Sequence, residues 1–287
     1  MSEFLQKLKE QISRLKEQRP AYKEILNFHE KVVEEQERIR PSINITPLKI
    51  KDDLKALQMK EGFPLLNKED FPLDLASSIE LFQSLCQIGK EATSMMREDV
   101  QKIEDAIKDG KLYLDELLRK HSNPDYQNKI IEEMKFNRMI LNYLIHMSIQ
   151  PSIRANVEKL KGHIDLRNWL KGYCPICGSY PQMSLLKGEG QRFCLCSFCG
   201  FEWPGERLKC PFCENKEHES LHYYFVEGQK TYRIDTCDKC KQYIKTIDTR
   251  ELDHEPDLTL EDITTVHLDI LASKNGFKKP TPSPWAS

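Results

Sequence analysis

Four cysteine pairs carry the chemistry legible in this chain: Cys174-Pro-Ile-Cys177, Cys196-Ser-Phe-Cys199, Cys210-Pro-Phe-Cys213 and Cys237-Asp-Lys-Cys240. A C-x-x-C turn aims two sulfurs at one point from a tight knuckle whose backbone N–H groups can hydrogen-bond the thiolates. Two knuckles complete a tetrahedral four-sulfur site, suited to zinc or to a single iron. Four knuckles make two such sites. The predicted metal ligands are therefore Cys174, Cys177, Cys196, Cys199, Cys210, Cys213, Cys237 and Cys240. The first two pairs are 18 residues apart and the last two 23. Both lengths lie near zinc-ribbon spacing. Sequential pairing, first with second and third with fourth, is preferred; interlocked pairing of first with third and second with fourth stays open.

Two of the ten cysteines fall outside these pairs. Cys86 lies in a helical pattern with nothing nearby to activate a thiolate, and reads as a small buried hydrophobe. Cys194 lies two residues before a ligand pair. In a strand it would share a face with Cys196, as a half-buried strand residue or as a spare thiol beside the metal. His218, His222 and His254 are not needed as ligands and are expected in solvated or capping roles. A thioredoxin-type mechanism would need one C-x-x-C at a helix N-terminus in a βαβ setting; here the motif recurs among strands.

The elements that must position the cysteines are short hairpins. Gln182–Leu186 and Gln191–Leu195 flank the turn Lys187-Gly-Glu-Gly190. His222–Val226 and Thr231–Asp235 flank Glu227-Gly-Gln-Lys230. The repeat is knuckle, hairpin, knuckle, twice over. Such small units bury little core, so a metal would supply much of their fold energy, on the order of 10 kcal/mol per site. A helix follows, with Thr259 as N-cap, Asp262 completing a capping-box pattern, and Ile263, Val266, His267, Ile270 and Leu271 as its apolar stripe. The tail Lys278–Ser287 is proline-rich and expected to be mobile.

The first half is helical. Leu5, Leu8, Ile12 and Leu15 form one stripe, ended by Pro20; a second helix runs to about Arg40. Residues 41–76 read as an ordered connection with a short helix at about 50–60. Further helices are predicted at about 75–96, 97–108 and 111–120. A long one, from about Pro124 to Gln150, is expected to break at Pro151, with a shorter helix on to about Leu160. The expected fold class is α+β: an all-helical domain at 1–165, a first metal ribbon at 172–206, and a second at 207–287 with the C-terminal helix and tail.

Composition narrows the functions. Apolar residues make up 39% and charged residues 31%, which suits a globular chain. No apolar run is long enough to span a membrane, and the charged start Met1–Glu10 lacks the apolar core of a signal peptide. The expected compartment is the cytoplasm. Net charge is −2, and residues 172–287 hold 14 Lys and Arg against 17 Asp and Glu. That balance disfavours phosphate neutralisation and hence nucleic acid. Protein binding is favoured, through Phe201, Trp203, Tyr223, Tyr224, Tyr232 and Arg233, residue types enriched at interfaces. There is no phosphate loop, H-E-x-x-H or nucleophile elbow. A four-thiolate metal keeps no open position, so the residues indicate a non-catalytic protein.

Cys174-Pro-Ile-Cys-Gly-Ser-Tyr-Pro181, Leu195-Cys-Ser-Phe-Cys-Gly-Phe-Glu-Trp203, Arg207-Leu-Lys-Cys-Pro-Phe-Cys213 and Cys237-Asp-Lys-Cys-Lys-Gln-Tyr-Ile-Lys245 resemble the FdhE family of formate dehydrogenase accessory proteins. Leu260–Leu271 with Gly276-Phe277 is similar to that family's C-terminal helix. The resemblance is specific over about 144–279; before 140 it extends only to a helical layout. It implies a helical domain followed by two rubredoxin-like modules. It also implies a cytoplasmic role in maturing molybdenum- or tungsten-dependent formate dehydrogenase, acting on the catalytic subunit without being a catalyst. The family's cysteine pairs are linked to iron, so iron competes with zinc for the eight cysteines. Neither nucleic acid nor membrane is an implied partner, and a homodimer stays open. Cys194 is outside the pattern. The third knuckle departs from it, with Glu214-Asn-Lys where a glycine often closes the turn. The alternative function is a zinc-ribbon nucleic-acid-binding or regulatory protein.

Overall fold

The computed structural model describes residues 2–48, 56, 60–164, 166–226, 228 and 230–281. The helix expected at about 50–60, turn residues Glu227 and Gln229, and the tail from Pro282 fall outside the described residues. The chain divides into two compact units, 1–49 with 68–159, and 50–67 with 160–287.

The first unit is helical. Helix α1 (Glu3–Gln18) buries Leu8, Ile12 and Leu15, and α2 (Lys23–Ile39) buries Leu26, His29, Val32, Val33, Gln36 and Ile39. The three- and four-residue spacing of these positions gives each helix one apolar face. Helices α3 (Leu75–Ala92), α4 (Ser94–Lys108), α5 (Leu114–Arg119), α6 (Pro124–Met134) and α7 (Arg138–Leu160) follow. Cys86 is buried in α3, and burial pushes its thiol up to about 12.

Two expected boundaries move, each for a local reason. The break expected after Met96 comes at Thr93, whose hydroxyl accepts the Met96 N–H at 3.1 Å as the N-cap of α4. The break expected at Pro151 comes instead at 135–137. There Lys135 ends α6 in the left-handed region (φ 54°), and the Asn137 side chain accepts the Met139 and Ile140 N–H groups at the start of α7. Helix α7 runs straight through Pro151. A proline inside a helix leaves the carbonyl four residues earlier without its donor. Here that carbonyl is Met147, and the buried Gln36 amide of α2 donates to it at 2.8 Å.

The second unit is built on a six-stranded sheet: β1 (Pro181–Lys187), β2 (Gln191–Cys196), β3 (Glu202–Gly205), β4 (Leu221–Phe225), β5 (Tyr232–Cys237) and β6 (Gln242–Asp248). Both expected hairpins are present. The order is β3-β2-β1-β6-β5-β4. Each ribbon is thus an antiparallel three-strand meander, and the two share one sheet through parallel pairing of β1 with β6, Met183 opposite Lys245.

Helices α8 (Leu258–Thr264) and α9 (Val266–Lys274) cover one face of this sheet. Met183, Leu185 and Ile247 pack with Leu258, while Ile234 and Tyr243 pack with Leu268, Ala272 and Phe277. The expected single helix is interrupted at Thr265, whose hydroxyl bonds back to the Glu261 carbonyl at 2.6 Å. The stripe changes accordingly: Ile270 is exposed and Leu268 buried. Nor is Thr259 the N-cap. Asp257 is, accepting the Thr259 and Leu260 N–H groups.

Asp262, expected in a capping box, is fully buried in an ion network. Lys245 of β6 lies 2.7 Å from both Asp262 and Asp269, and Lys279 lies 2.8 Å from Asp262. The expectation of a mobile tail is overturned for 278–281. Lys278 bridges to Gln242, Lys279 is buried, and the Thr281 hydroxyl donates to the Pro181 carbonyl at 3.0 Å.

Candidate metal centres

The eight cysteines of the four knuckles gather into two clusters, and the grouping is sequential. Cys174, Cys177, Cys196 and Cys199 form one; Cys210, Cys213, Cys237 and Cys240 form the other. The interlocked grouping does not occur. The sulfurs of Cys174 and Cys199 are 3.6 Å apart, those of Cys177 and Cys196 3.3 Å, and those of Cys177 and Cys199 3.7 Å. In the second cluster, Cys210–Cys240 and Cys213–Cys237 are each separated by 3.7 Å. A tetrahedron with zinc–sulfur bonds of about 2.3 Å has edges of about 3.8 Å. Both clusters match that size, and each could hold one ion.

One turn builds all four knuckles. The N–H of the first cysteine reaches a carbonyl beyond the second: Cys174 to Ser179, Cys196 to Phe201 and Cys210 to Asn215, each at 2.9 Å. The residue after the second cysteine is left-handed in every case: Gly178 (φ 71°), Gly200 (φ 70°), Glu214 (φ 59°) and Lys241 (φ 55°). The third and fourth knuckles therefore keep the turn without glycine, accepting a strain of about 1–2 kcal/mol each. The turn points backbone N–H groups at sulfur: those of Phe198 and Cys199 lie 3.4 Å from the Cys196 sulfur.

Side chains around the sulfurs add to this. Ser179 pairs with Cys177 at 3.4 Å, and the Asn215 amide donates to Cys237 at 3.6 Å. Neither was anticipated from sequence, although an asparagine just past a knuckle is an ordinary turn former. Nor was the segment ahead of α3. The Leu65 and Leu66 N–H groups donate to the Pro175 and Ile176 carbonyls of the first knuckle, and the Tyr173 hydroxyl donates to the Gly62 carbonyl at 2.6 Å. The first and third knuckles meet through an edge-to-face contact of Tyr180 with Phe212, their ring centres 5.7 Å apart.

The electrostatics ask for a cation. Hydrogen bonds from Cys174, Cys196 and Cys199 hold the Cys177 thiol far below its usual range, while burial pushes Cys174 and Cys199 well above it. Four thiolates packed this closely require a positive charge between them. In the second cluster burial pushes Cys210 up to about 11. Burial also opposes ionisation of Cys237, but hydrogen bonds from the Cys240 N–H and the Asn215 amide outweigh it and lower that thiol. The two clusters differ in access. The first is wholly buried; in the second, Cys213 is exposed and Cys240 partly so.

Cys194 belongs to neither cluster. It is buried opposite Trp203 on β3, and burial pushes its thiol up to about 11. His222 is paired with Asp238 at 2.9 Å rather than with a cluster. The expected interface residues divide: Tyr223 and Tyr224 are exposed, whereas Trp203 is fully buried in the sheet.

A protein FdhE homolog from Aquifex aeolicus is 31% identical to this chain over 288 residues, covering 97% of the chain and 95% of the relative. The chain belongs to the FdhE family. Its residues 173–207 match the model of the FdhE central domain, and 208–285 that of the FdhE C-terminal domain. Protein FdhE from Salmonella paratyphi B is 31% identical over 117 residues, 39% of this chain and 37% of that protein. The crystal structure of the FdhE protein from Pseudomonas aeruginosa shares the fold, with a TM-score of 0.67 at 19% identity over 97% of this chain and 94% of that one. FdhE membership and the paired clusters thus meet in the same residues. No helix among the described residues is long and apolar enough to cross a membrane.

Proposed function

We propose that this FdhE-family chain is a cytoplasmic accessory protein for formate dehydrogenase, binding the catalytic subunit and assisting its assembly or activation without being a catalyst. The observation that carries the proposal is the pair of four-cysteine clusters within the segments matching the two FdhE domain models. In this reading the ligands are Cys174, Cys177, Cys196 and Cys199 for one ion, and Cys210, Cys213, Cys237 and Cys240 for the other. Zinc would give each site fixed structure; iron would add a one-electron couple. Four sulfurs complete a tetrahedron, which supports a structural rather than a substrate-activating ion. The helical segment 1–165 widens the contact, and the ribbons at 172–206 and 207–287 present a rigid surface to a partly folded client.

The test is affinity capture of the tagged chain from its native host, with metal content measured on the same material. The expected result is two metal equivalents and recovery of the formate dehydrogenase catalytic subunit, with capture lost in Cys237→Ser. Recovery of ribosomal or polymerase proteins, with salt-dependent nucleic-acid binding, would instead establish the nucleic-acid reading.

A further inference from the structure

We propose that strand β4 is the docking edge for an extended, acidic segment of the client polypeptide; this rests on the client reading above. The sheet has two outer strands, and they are defended differently. Strand β3 is four residues long and contains Pro204, a residue type that blocks pairing. Strand β4, Leu221-His-Tyr-Tyr-Phe225, has no proline, glycine or lysine, and pairs with β5 in unbroken register. Among the described residues β5 is its one ladder partner. The corresponding strand of the first ribbon, β1, has its outer edge filled by β6 in parallel. The molecule therefore already uses this kind of edge once and leaves its repeat open.

The ladder shows which groups are on offer. The Asp238 N–H donates to the Ser220 carbonyl at 2.9 Å. Antiparallel alternation then makes His222–Thr236 and Tyr224–Ile234 the hydrogen-bonded pairs. The main chains of Tyr223 and Phe225 are left directed outward, whereas the Leu221 N–H is already bound to the His218 carbonyl. Tyr223 and Phe225 are exposed and stacked, with ring centres 6.1 Å apart, and Arg233 lies over Tyr223 at 5.2 Å.

The acidic preference comes from the cavity beside this edge. A hollow of about 120 Å³ lies under the third knuckle and is lined by Tyr223, Arg192, Arg207, Arg233 and Asp235. Asp235 is shared by two guanidiniums, Arg192 at 2.5 Å and Arg233 at 2.9 Å, and also accepts from Thr246. Arg192 and Arg233 thus share one carboxylate, and Arg207 lines the same hollow. Arg192 is 4% exposed, and its buried Nε has no acceptor among the described residues. A residue paired opposite Tyr223 on an added strand would put its side chain on the face of the sheet that holds this cavity. An Asp or Glu there meets two guanidiniums that share a single carboxylate, Asp235.

The test uses the metal-loaded full chain, the purified formate dehydrogenase catalytic subunit, and overlapping synthetic peptides of about ten residues, strand length with flanks, that span the subunit. Tyr223→Pro removes an N–H that β5 does not use, so the ladder stays intact while an incoming strand is blocked. Tyr223→Glu does the same by setting a like charge opposite the incoming acidic residue if the proline variant loses its metal. The expected result is that peptides with an acidic residue amid alternating apolar ones bind the natural chain. Either variant should lose that binding at unchanged metal content. Arg233→Gln should weaken it about ten-fold, with a smaller salt dependence.

Other outcomes overturn the proposal in distinguishable ways. If the whole subunit binds the natural chain and both Tyr223 variants equally, the edge is not the docking site and the client reading stands. If the subunit binds none of them, both readings fall. If the natural chain sediments as a dimer that Tyr223→Pro dissociates without affecting the subunit, a second copy occupies the edge. If Arg233→Gln leaves peptide binding unchanged but loosens the ion at the second cluster, the arginines balance thiolate charge, and the acidic preference is wrong.

Discussion

Replacing Lys279 by methionine tests whether the start of the C-terminal tail is a structural member of the second unit. Lys279 is buried 2.8 Å from Asp262, which is fully buried and also 2.7 Å from Lys245; Asp269 completes the group. Two cations balance two carboxylates. The substitution keeps the aliphatic stem and removes one charge, leaving a buried net charge of −1. Breaking a buried pair from one side costs about 3–5 kcal/mol, because the orphaned charge stays desolvated. At a slope of about 2 kcal/mol per molar urea, the midpoint falls by about 2 M. At roughly 2–4 °C per kcal/mol, the melting temperature falls by about 10 °C. All three tryptophans, Trp169, Trp203 and Trp285, come after residue 160, so fluorescence follows this part of the chain.

A double-mutant cycle with Asp262→Asn should return about 1–3 kcal/mol of coupling, since the second change removes the orphan. The pH arm has a fixed sign. Burial opposes ionisation of Asp262, but Lys279 and Lys245 outweigh it and hold the carboxyl well below its usual range. Its contribution is therefore complete above the unfolded value of about 4 and is lost as the pH falls towards the folded one. In Lys279→Met the carboxyl rises, and acid unfolding begins at higher pH. A Lys279→Met chain within about 0.5 kcal/mol of the natural one, with no coupling to Asp262, would refute the reasoning.

Four further outcomes are expected. Gln36→Leu strands the Met147 carbonyl and should cost about 1–3 kcal/mol by urea melting. Adding Pro151→Ala, which restores the missing N–H, should recover much of that loss. Glu214→Gly and Lys241→Gly should each stabilise the chain by about 1 kcal/mol, because both positions are left-handed; a loss on melting would show that their side chains matter more than the strain. Gly172→Ala places a Cβ 1.8 Å from the Pro211 carbonyl oxygen, so thermal melting and metal content at the third knuckle should both fall. Burial pushes His146 down to about 4. The neutral ring is favoured in the fold, so stability should decline as pH falls from about 6.5 to 4, by roughly 2 kcal/mol given its partial exposure, and His146→Gln should flatten that slope.

The four-cysteine clusters were legible because a C-x-x-C knuckle is a local object: two cysteines, a turn and their spacing lie within a few residues. Helix cores were legible for the same reason, as in Leu8, Ile12 and Leu15 of α1. Part of what escaped depends on distant partners. Pro151 reads as a helix breaker until Gln36, far away in sequence, supplies its carbonyl with a donor. Asp262 fits a capping box until Lys245 and Lys279 are brought to it. Thr93 and Asn137 are single polar residues whose capping role competes with several plausible neighbours. Trp203 and Tyr223 belong to similar hairpin contexts, yet one is buried and the other exposed. Which edge of each meander is covered was not encoded in either one.

The parallel seam between β1 and β6 joins the first strand of one ribbon to the last strand of the next. Such a head-to-tail union is heterologous, and a heterologous union whose rotation does not close into a ring stays open-ended. In principle the sheet could elongate by the same rule, one ribbon after another, within a chain or between chains. The outer strands, β4 and β3, are the two halves of another such seam. The four residues of β3, with Pro204 among them, act as a terminator: they stop propagation at one end while the other end stays receptive. Polarity of this kind lets a protein with an accessible strand remain a finite assembly rather than the start of a fibre.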